Sequence, residues 1–152
     1  MENVQIREAV SSDAPAIVEF QMEMALESEG IELNKLVLTS GVQAVFNDPG
    51  KGRYYVCEVN EKVVASLMTT FEWSDWRNGM VLWIQSVYVS PDYRKTGVFR
   101  KMYLYLKTMV EASDYYRGIR LYVDNNNLPA LEVYKAIGMN GEHYRVFEWM
   151  KI

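Results

Sequence analysis

The residues with the types and spacing to do chemistry fall in a few short stretches. Arg94-Lys95-Thr96-Gly97-Val98-Phe99-Arg100 sets basic side chains and a glycine ahead of a helix with apolar residues at three- and four-residue steps: Phe99, Met102, Leu106, Met109 and Val110. A helix start collects unpaired backbone N–H groups and the positive end of the macrodipole. With Arg94 and Lys95 before it and Arg100 and Lys101 inside it, this start suits a phosphate. A capped surface helix with ordinary basic side chains has the same sequence. Glu72-Trp73-Ser74-Asp75-Trp76 joins acids to large aromatics, a combination suited to a cationic amine, although the tryptophans could equally anchor a strand turn or a dimer contact. Tyr134 carries a phenol that is protonated at neutral pH and can donate a proton, while its spacing alone fits a core tyrosine on an amphipathic helix. Cys57 lies in an apolar, strand-like run and reads as a buried structural thiol rather than a nucleophile. His143, the single histidine, reads as a surface residue.

The elements that must position these residues follow from the changes of period along the chain. Val4 and Ile6 alternate as a short first strand. Ser11-Ser12-Asp13-Ala14-Pro15 starts a helix that Gly30 closes, and a second helix covers Leu33 to Phe46 before Asn47-Asp48-Pro49-Gly50 ends it. Tyr54 to Val59, a turn at Asn60-Glu61 and Lys62 to Phe71 form a hairpin. A linker over 72–79, with the turn signal Asn78-Gly79, leads to Met80–Val89, apolar on both faces as in a central strand covered by helices. A helix over 99–113, a strand over 118–123, a helix over 128–137 stopped by Gly138, and a last alternating strand over 144–149 complete the order. The expected fold is α/β (α+β): one domain over residues 1–152, with a central mixed, mostly antiparallel sheet and helices on both faces.

Composition narrows the function classes. The 152 residues are 49% hydrophobic and 24% charged, ordinary values for a globular chain with a substantial core. A formal net charge of −4 argues against nucleic acid as partner, and no apolar run approaches the length that spans a membrane. One cysteine gives no disulfide framework, and the N-terminus lacks a signal-peptide pattern, so the expected location is the cytoplasm.

The order of elements, the loop at 94–97 and the run Asn127-Leu128-Pro129-Ala130-Leu131-Glu132-Val133-Tyr134-Lys135-Ala136-Ile137-Gly138-Met139 together resemble the GCN5-related N-acetyltransferase (GNAT) superfamily across essentially the whole chain. Arg94-Lys95-Thr96-Gly97-Val98-Phe99 is similar to the family's acetyl-CoA signature, and the second run to its second cofactor motif. Trp83 to Arg94 also resembles the comparable stretch of diamine acetyltransferases. Phe99 departs from the pattern, because it stands where the family keeps a small residue close to the pyrophosphate.

The resemblance implies an acetyl-CoA-dependent N-acetyltransferase acting on a primary amine, by direct attack in a ternary complex. The backbone of Val87 and Val89 would pair with the pantetheine arm, with the N–H of Val87 or a neighbour polarising the thioester. The N–H groups of Thr96, Gly97, Val98, Phe99 and Arg100 would hold the pyrophosphate, Arg94 and Lys95 would add charge, and Asn127 would reach the cofactor by its side chain. Tyr134 would be the general acid. Gln85 stands where many relatives have a glutamate; it cannot take a proton, but it can orient a water. Glu72 and Asp75 are the alternative bases, and with Trp73 they mark the acceptor end. The expected partner is a small-molecule amine; a homodimer is left open, and no metal is expected. The alternative is a non-catalytic acyl-CoA-binding or protein-interaction module on the same fold, motivated by Phe99 and Gln85.

Overall fold

The computed structural model describes residues 2–152. The chain forms two compact units, one ending at Arg120 and the other Leu121–Ile152. The first is built on a sheet in the order β1 (Val4–Glu8), β2 (Arg53–Val59), β3 (Lys62–Ser74), β4 (Gly79–Val89), β5 (Tyr116–Leu121). The first four strands pair antiparallel. β5 begins beside the beginning of β4, where the Met80 N–H donates to the Tyr115 carbonyl at 2.9 Å, so these two run parallel and the sheet is mixed. The helices are α1 (Ala14–Glu29) and α2 (Lys35–Asn47), both before the hairpin, and α3 (Val98–Glu111), which crosses over from β4 to β5.

Local chemistry accounts for the element ends. Gly30 closes α1 in the left-handed conformation at φ +64°, and the Asn34 side chain caps α2 by accepting from the Leu36 and Val37 N–H groups. Asn60 and Glu61 both have positive φ, the two-residue turn whose twist matches a hairpin.

β2 is covered on both faces. Tyr54 and Val56 share a core cluster with Ile17, Val18 and Val42 of α1 and α2, and the Tyr54 ring lies 5.6 Å from Phe46. Tyr55, pointing the other way by strand alternation, meets α3: its ring is 5.9 Å from Tyr105 and its hydroxyl 3.8 Å from the Met109 sulfur.

Three expectations change. Val98, not Phe99, opens the buried face of α3, with Met102, Tyr103 and Leu106 below it; Phe99 is half-buried and stacks on Tyr103 at 6.5 Å. Both residues are apolar, and the core took the one that continues a four-residue step. β3 runs to Ser74, so Glu72 and Trp73 are strand residues and the linker shrinks to 75–78, because the β3–β4 ladder continues to Ser74↔Gly79. The strand expected over 144–149 does not form.

That last segment belongs to the second unit, which holds α4 (Leu128–Ala136) and no sheet of its own. An alternating segment becomes a strand only when another strand pairs with it. Within this unit none does, and Phe147 and Trp149 stand 94% and 86% exposed.

One ion cluster locks the start of the fold. Arg7 donates to both Asp13 carboxylate oxygens at 2.8 and 3.0 Å and to Glu58 at 2.5 Å, while Asp13 also accepts from the Val10 N–H at 2.7 Å. Asp13 is buried, and the Arg7 guanidinium beside it holds its carboxyl below the usual range. Asp13→Ala leaves Arg7 short of its main partner and is expected to cost about 2–3 kcal/mol in urea unfolding. The lowered carboxyl sets the sign of the pH effect. Its stabilisation is full above the ordinary carboxylate value of about 3.9 and is lost as pH falls through the lower folded value; the variant lacks that acid-limb component.

Candidate active site

The loop between β4 and α3 presents backbone. Pro91–Tyr93 forms a 3₁₀ turn, after which Lys95 (φ +62°) and Gly97 (φ +83°) are both left-handed. The Thr96 hydroxyl donates to the Tyr93 carbonyl at 2.5 Å and braces the loop from inside. Gly97 is the N-cap of α3, its carbonyl accepts from the Lys101 N–H at 3.0 Å, and no side chain caps the helix. The first-turn N–H groups of Val98, Phe99 and Arg100 are therefore offered without a capping oxygen, and Lys95, Thr96 and Arg100 are exposed around them.

Arg94 is committed locally. Its guanidinium donates to Glu27 of α1 and to the Val89 carbonyl, each at 2.8 Å, and lies 5.4 Å from the centre of the Tyr88 ring. These contacts fix where the loop leaves β4. The Tyr88 hydroxyl donates to Glu23 of α1, its ring stacks on Phe20 at 5.0 Å, and burial with the neighbouring carboxylate pushes the phenol up to about 12.

β4 is irregular at Ser86 and Val87. Ser66 pairs with Tyr88 but Met68 pairs with Gln85, so Ser86 and Val87 together stand opposite Leu67. This is a bulge of the type whose first residue is left-handed and usually glycine. Here that residue is Ser86 at φ +56°, a conformation that costs a non-glycine residue of order 1–3 kcal/mol. Its carbonyl accepts from the Gln21 side chain of α1 at 3.2 Å. Val87 and Val89, the expected cofactor-pairing residues, are half-buried on either side of Tyr88, and Gln85 is half-buried next to the bulge.

The expected acceptor residues are partly engaged. Glu72 forms an ion pair with Arg120, and Asp75 accepts from the Trp76 N–H at 2.9 Å. Trp73 and Trp76 are 55% and 90% exposed. In the second unit, Asn127 caps α4, its side-chain oxygen accepting from the Ala130 N–H at 3.3 Å, so the residue has a structural task at that oxygen. Tyr134 is half-buried on α4, and burial pushes its phenol up. Gly138 ends the helix at φ +92°. A cavity of about 660 Å³ lined by Val4, Ile6, Leu104, Tyr105 and Met109, among others, and one of about 430 Å³ between α1 and α2 contain none of the expected site residues. Gln21, Glu23 and Glu27, which hold β4 and its loop, were not singled out by sequence reasoning; nothing in the helical pattern of α1 shows which strand it faces.

Residues 15–139 match the model of the acetyltransferase (GNAT) family. The chain belongs to that family. A possible acetyltransferase from Clostridium difficile 630 is 44% identical, with 98% of each chain covered and a TM-score of 0.90. Two more distant structures share the fold alone. One is an aminoglycoside N-acetyltransferase in complex with CoA, at 13% identity, 99% and 96% coverage and a TM-score of 0.79. The other is an aminoglycoside acetyltransferase from an uncultured soil metagenomic sample in complex with sisomicin, at 13% identity, 98% and 96% coverage and a TM-score of 0.78. No curated protein matches the sequence. As a member of the GNAT family the protein is an N-acetyltransferase that uses acetyl-CoA as co-substrate. Among the described residues no helix is long and apolar enough to cross a membrane.

Proposed function

We propose that the chain works as one N-acetyltransferase domain, residues 1–152, moving the acetyl group of acetyl-CoA to a primary amine of a small cationic molecule in a ternary complex. The observation that carries this reading is the uncapped start of α3 behind two left-handed loop residues, directly after a bulged strand. The N–H groups of Thr96 to Arg100 take the pyrophosphate, with Lys95 and Arg100 as nearby cations, while Arg94 holds the loop through Glu27. The backbone of Val87 and Val89 pairs with the pantetheine arm, and the Val87 N–H polarises the thioester oxygen. Phe99, half-buried against Tyr103, leaves the helix N–H groups to the ligand.

The amine nitrogen attacks the thioester carbon, the C–S bond breaks and the sulfur takes a proton from Tyr134, while the proton that the nitrogen sheds on becoming the amide returns the phenolate to phenol. An alkylamine with pKa about 10.4 is almost wholly protonated at pH 7, so a proton must leave it first. Glu72 is engaged by Arg120, which favours a water oriented by Gln85 as the outlet. The exposed Trp73 and Trp76 beside Asp75 supply ring faces and charge for a cationic acceptor. The complex of an aminoglycoside acetyltransferase of the same fold with sisomicin is in keeping with such an acceptor.

The test is thiol release from acetyl-CoA across a panel of amines that includes polyamines, sisomicin and lysine. Saturable release with at least one cationic amine is the expected result. Release no faster than with acetyl-CoA alone for every amine would remove the small-molecule acceptor.

A further inference from the structure

We infer that Gln21 is a positioning residue for acetyl transfer: by holding the Ser86 carbonyl toward α1, it aims the Val87 N–H at the thioester. The inference rests on the polarising role proposed for that N–H.

The geometry comes from a single peptide unit. The carbonyl of residue 86 and the N–H of residue 87 lie in one plane and, in a trans peptide, point in opposite directions. No peptide bond in the described residues is cis. The Gln21 Nε2 donates to the Ser86 carbonyl at 3.2 Å, so the plane is fixed with its carbonyl toward α1 and its N–H away from it. Ser86 and Val87 stand together against Leu67, which takes this peptide out of the regular β3–β4 ladder. Ser86 is a left-handed serine with none of the ease of glycine, so the conformation needs an outside hold. Gln21 provides one from a buried position, 5% exposed. The Glu23 contact to Tyr88 and the Glu27 contact to Arg94 keep α1 in register along β4, so Gln21 cannot simply follow a peptide that turns.

Isotope-edited infrared spectra of acetyl-CoA labelled with ¹³C at the thioester carbonyl test this in the full-length protein. In the wild type the bound carbonyl band falls below its frequency in water. In Gln21→Leu it returns most of the way to the free value, while affinity for CoA, which has no thioester carbonyl, stays within about twofold. Gln21→Glu adds a pH readout: the ionised carboxylate cannot donate to a carbonyl and behaves like leucine, whereas protonation at low pH restores the donor and the shift. This variant also carries the test if Gln21→Leu does not fold. An unchanged shift in Gln21→Leu, or in ionised Gln21→Glu, overturns the role of Gln21, as does a parallel loss of CoA affinity, which would mark a merely structural residue. A wild type that binds acetyl-CoA without any shift removes the polarising N–H itself and the inference with it.

Discussion

Replacing Tyr134 by phenylalanine is expected to lower kcat by roughly 10²-fold while leaving acetyl-CoA affinity within about twofold. General acids contribute about 10²–10⁴-fold, and the lower end applies here because a thiolate, with a conjugate acid near pKa 8.5, is already a fair leaving group. The half-buried phenol is raised above its ordinary value of about 10. An acid must be protonated to act, so this group does not limit the wild type anywhere in the neutral or mildly alkaline range. Its deprotonation cuts activity only at pH above about 10. The phenylalanine variant should lose that alkaline limb and keep the rise caused by deprotonation of the amine. A pH profile of kcat in both proteins reads the two effects separately, and unchanged turnover in the variant would end the assignment of Tyr134.

Gly97→Val is expected to weaken acetyl-CoA binding by about 30- to 100-fold in calorimetric titration. A Cβ at this position would meet nothing within 4 Å, so crowding is not the cause. The cause is the backbone, since Gly97 sits at φ +83° and a β-branched side chain resists that region strongly. Holding valine there costs about 2–3 kcal/mol. The free protein can avoid that cost by letting the loop relax, but relaxation turns the N–H groups of α3 away from the phosphate. Binding therefore carries the cost, at about 1.4 kcal/mol per factor of ten. Gly97→Ala, without the β-branch, should lose less affinity, and both variants should keep the circular dichroism of the wild type.

Most of the fold was legible because its elements announce themselves locally. The Gly30 cap, the Asn60-Glu61 turn, the doubly apolar β4 and the Gly138 stop all reappear within a residue or two of where the pattern puts them. What was not legible depended on residues far apart in the chain. Arg94 reads as a free cation until its partner Glu27, 67 positions earlier, is placed beside it. The usual signal of the β4 bulge is a glycine, and Ser86 conceals it. The face of α3 had two apolar candidates at its first turn, and only the packed core decides between Val98 and Phe99. Residues 144–149 have the alternation of a strand, but alternation describes what a sheet could accept, and the unit they belong to has no sheet. The left-handed Gly97 at the start of α3 was legible, because a glycine ahead of an apolar helical pattern acts at the level of local sequence.

The most direct test of the central claim, that the start of α3 holds acetyl-CoA despite Phe99, is calorimetric titration of the wild-type protein with acetyl-CoA. One-to-one binding in the micromolar range is the predicted result, because the uncapped N–H groups of the first turn and the nearby Lys95 and Arg100 all favour the pyrophosphate. No binding at millimolar acetyl-CoA would contradict the account: Phe99 would then close the loop against the cofactor, and the site would have to be sought elsewhere in the chain.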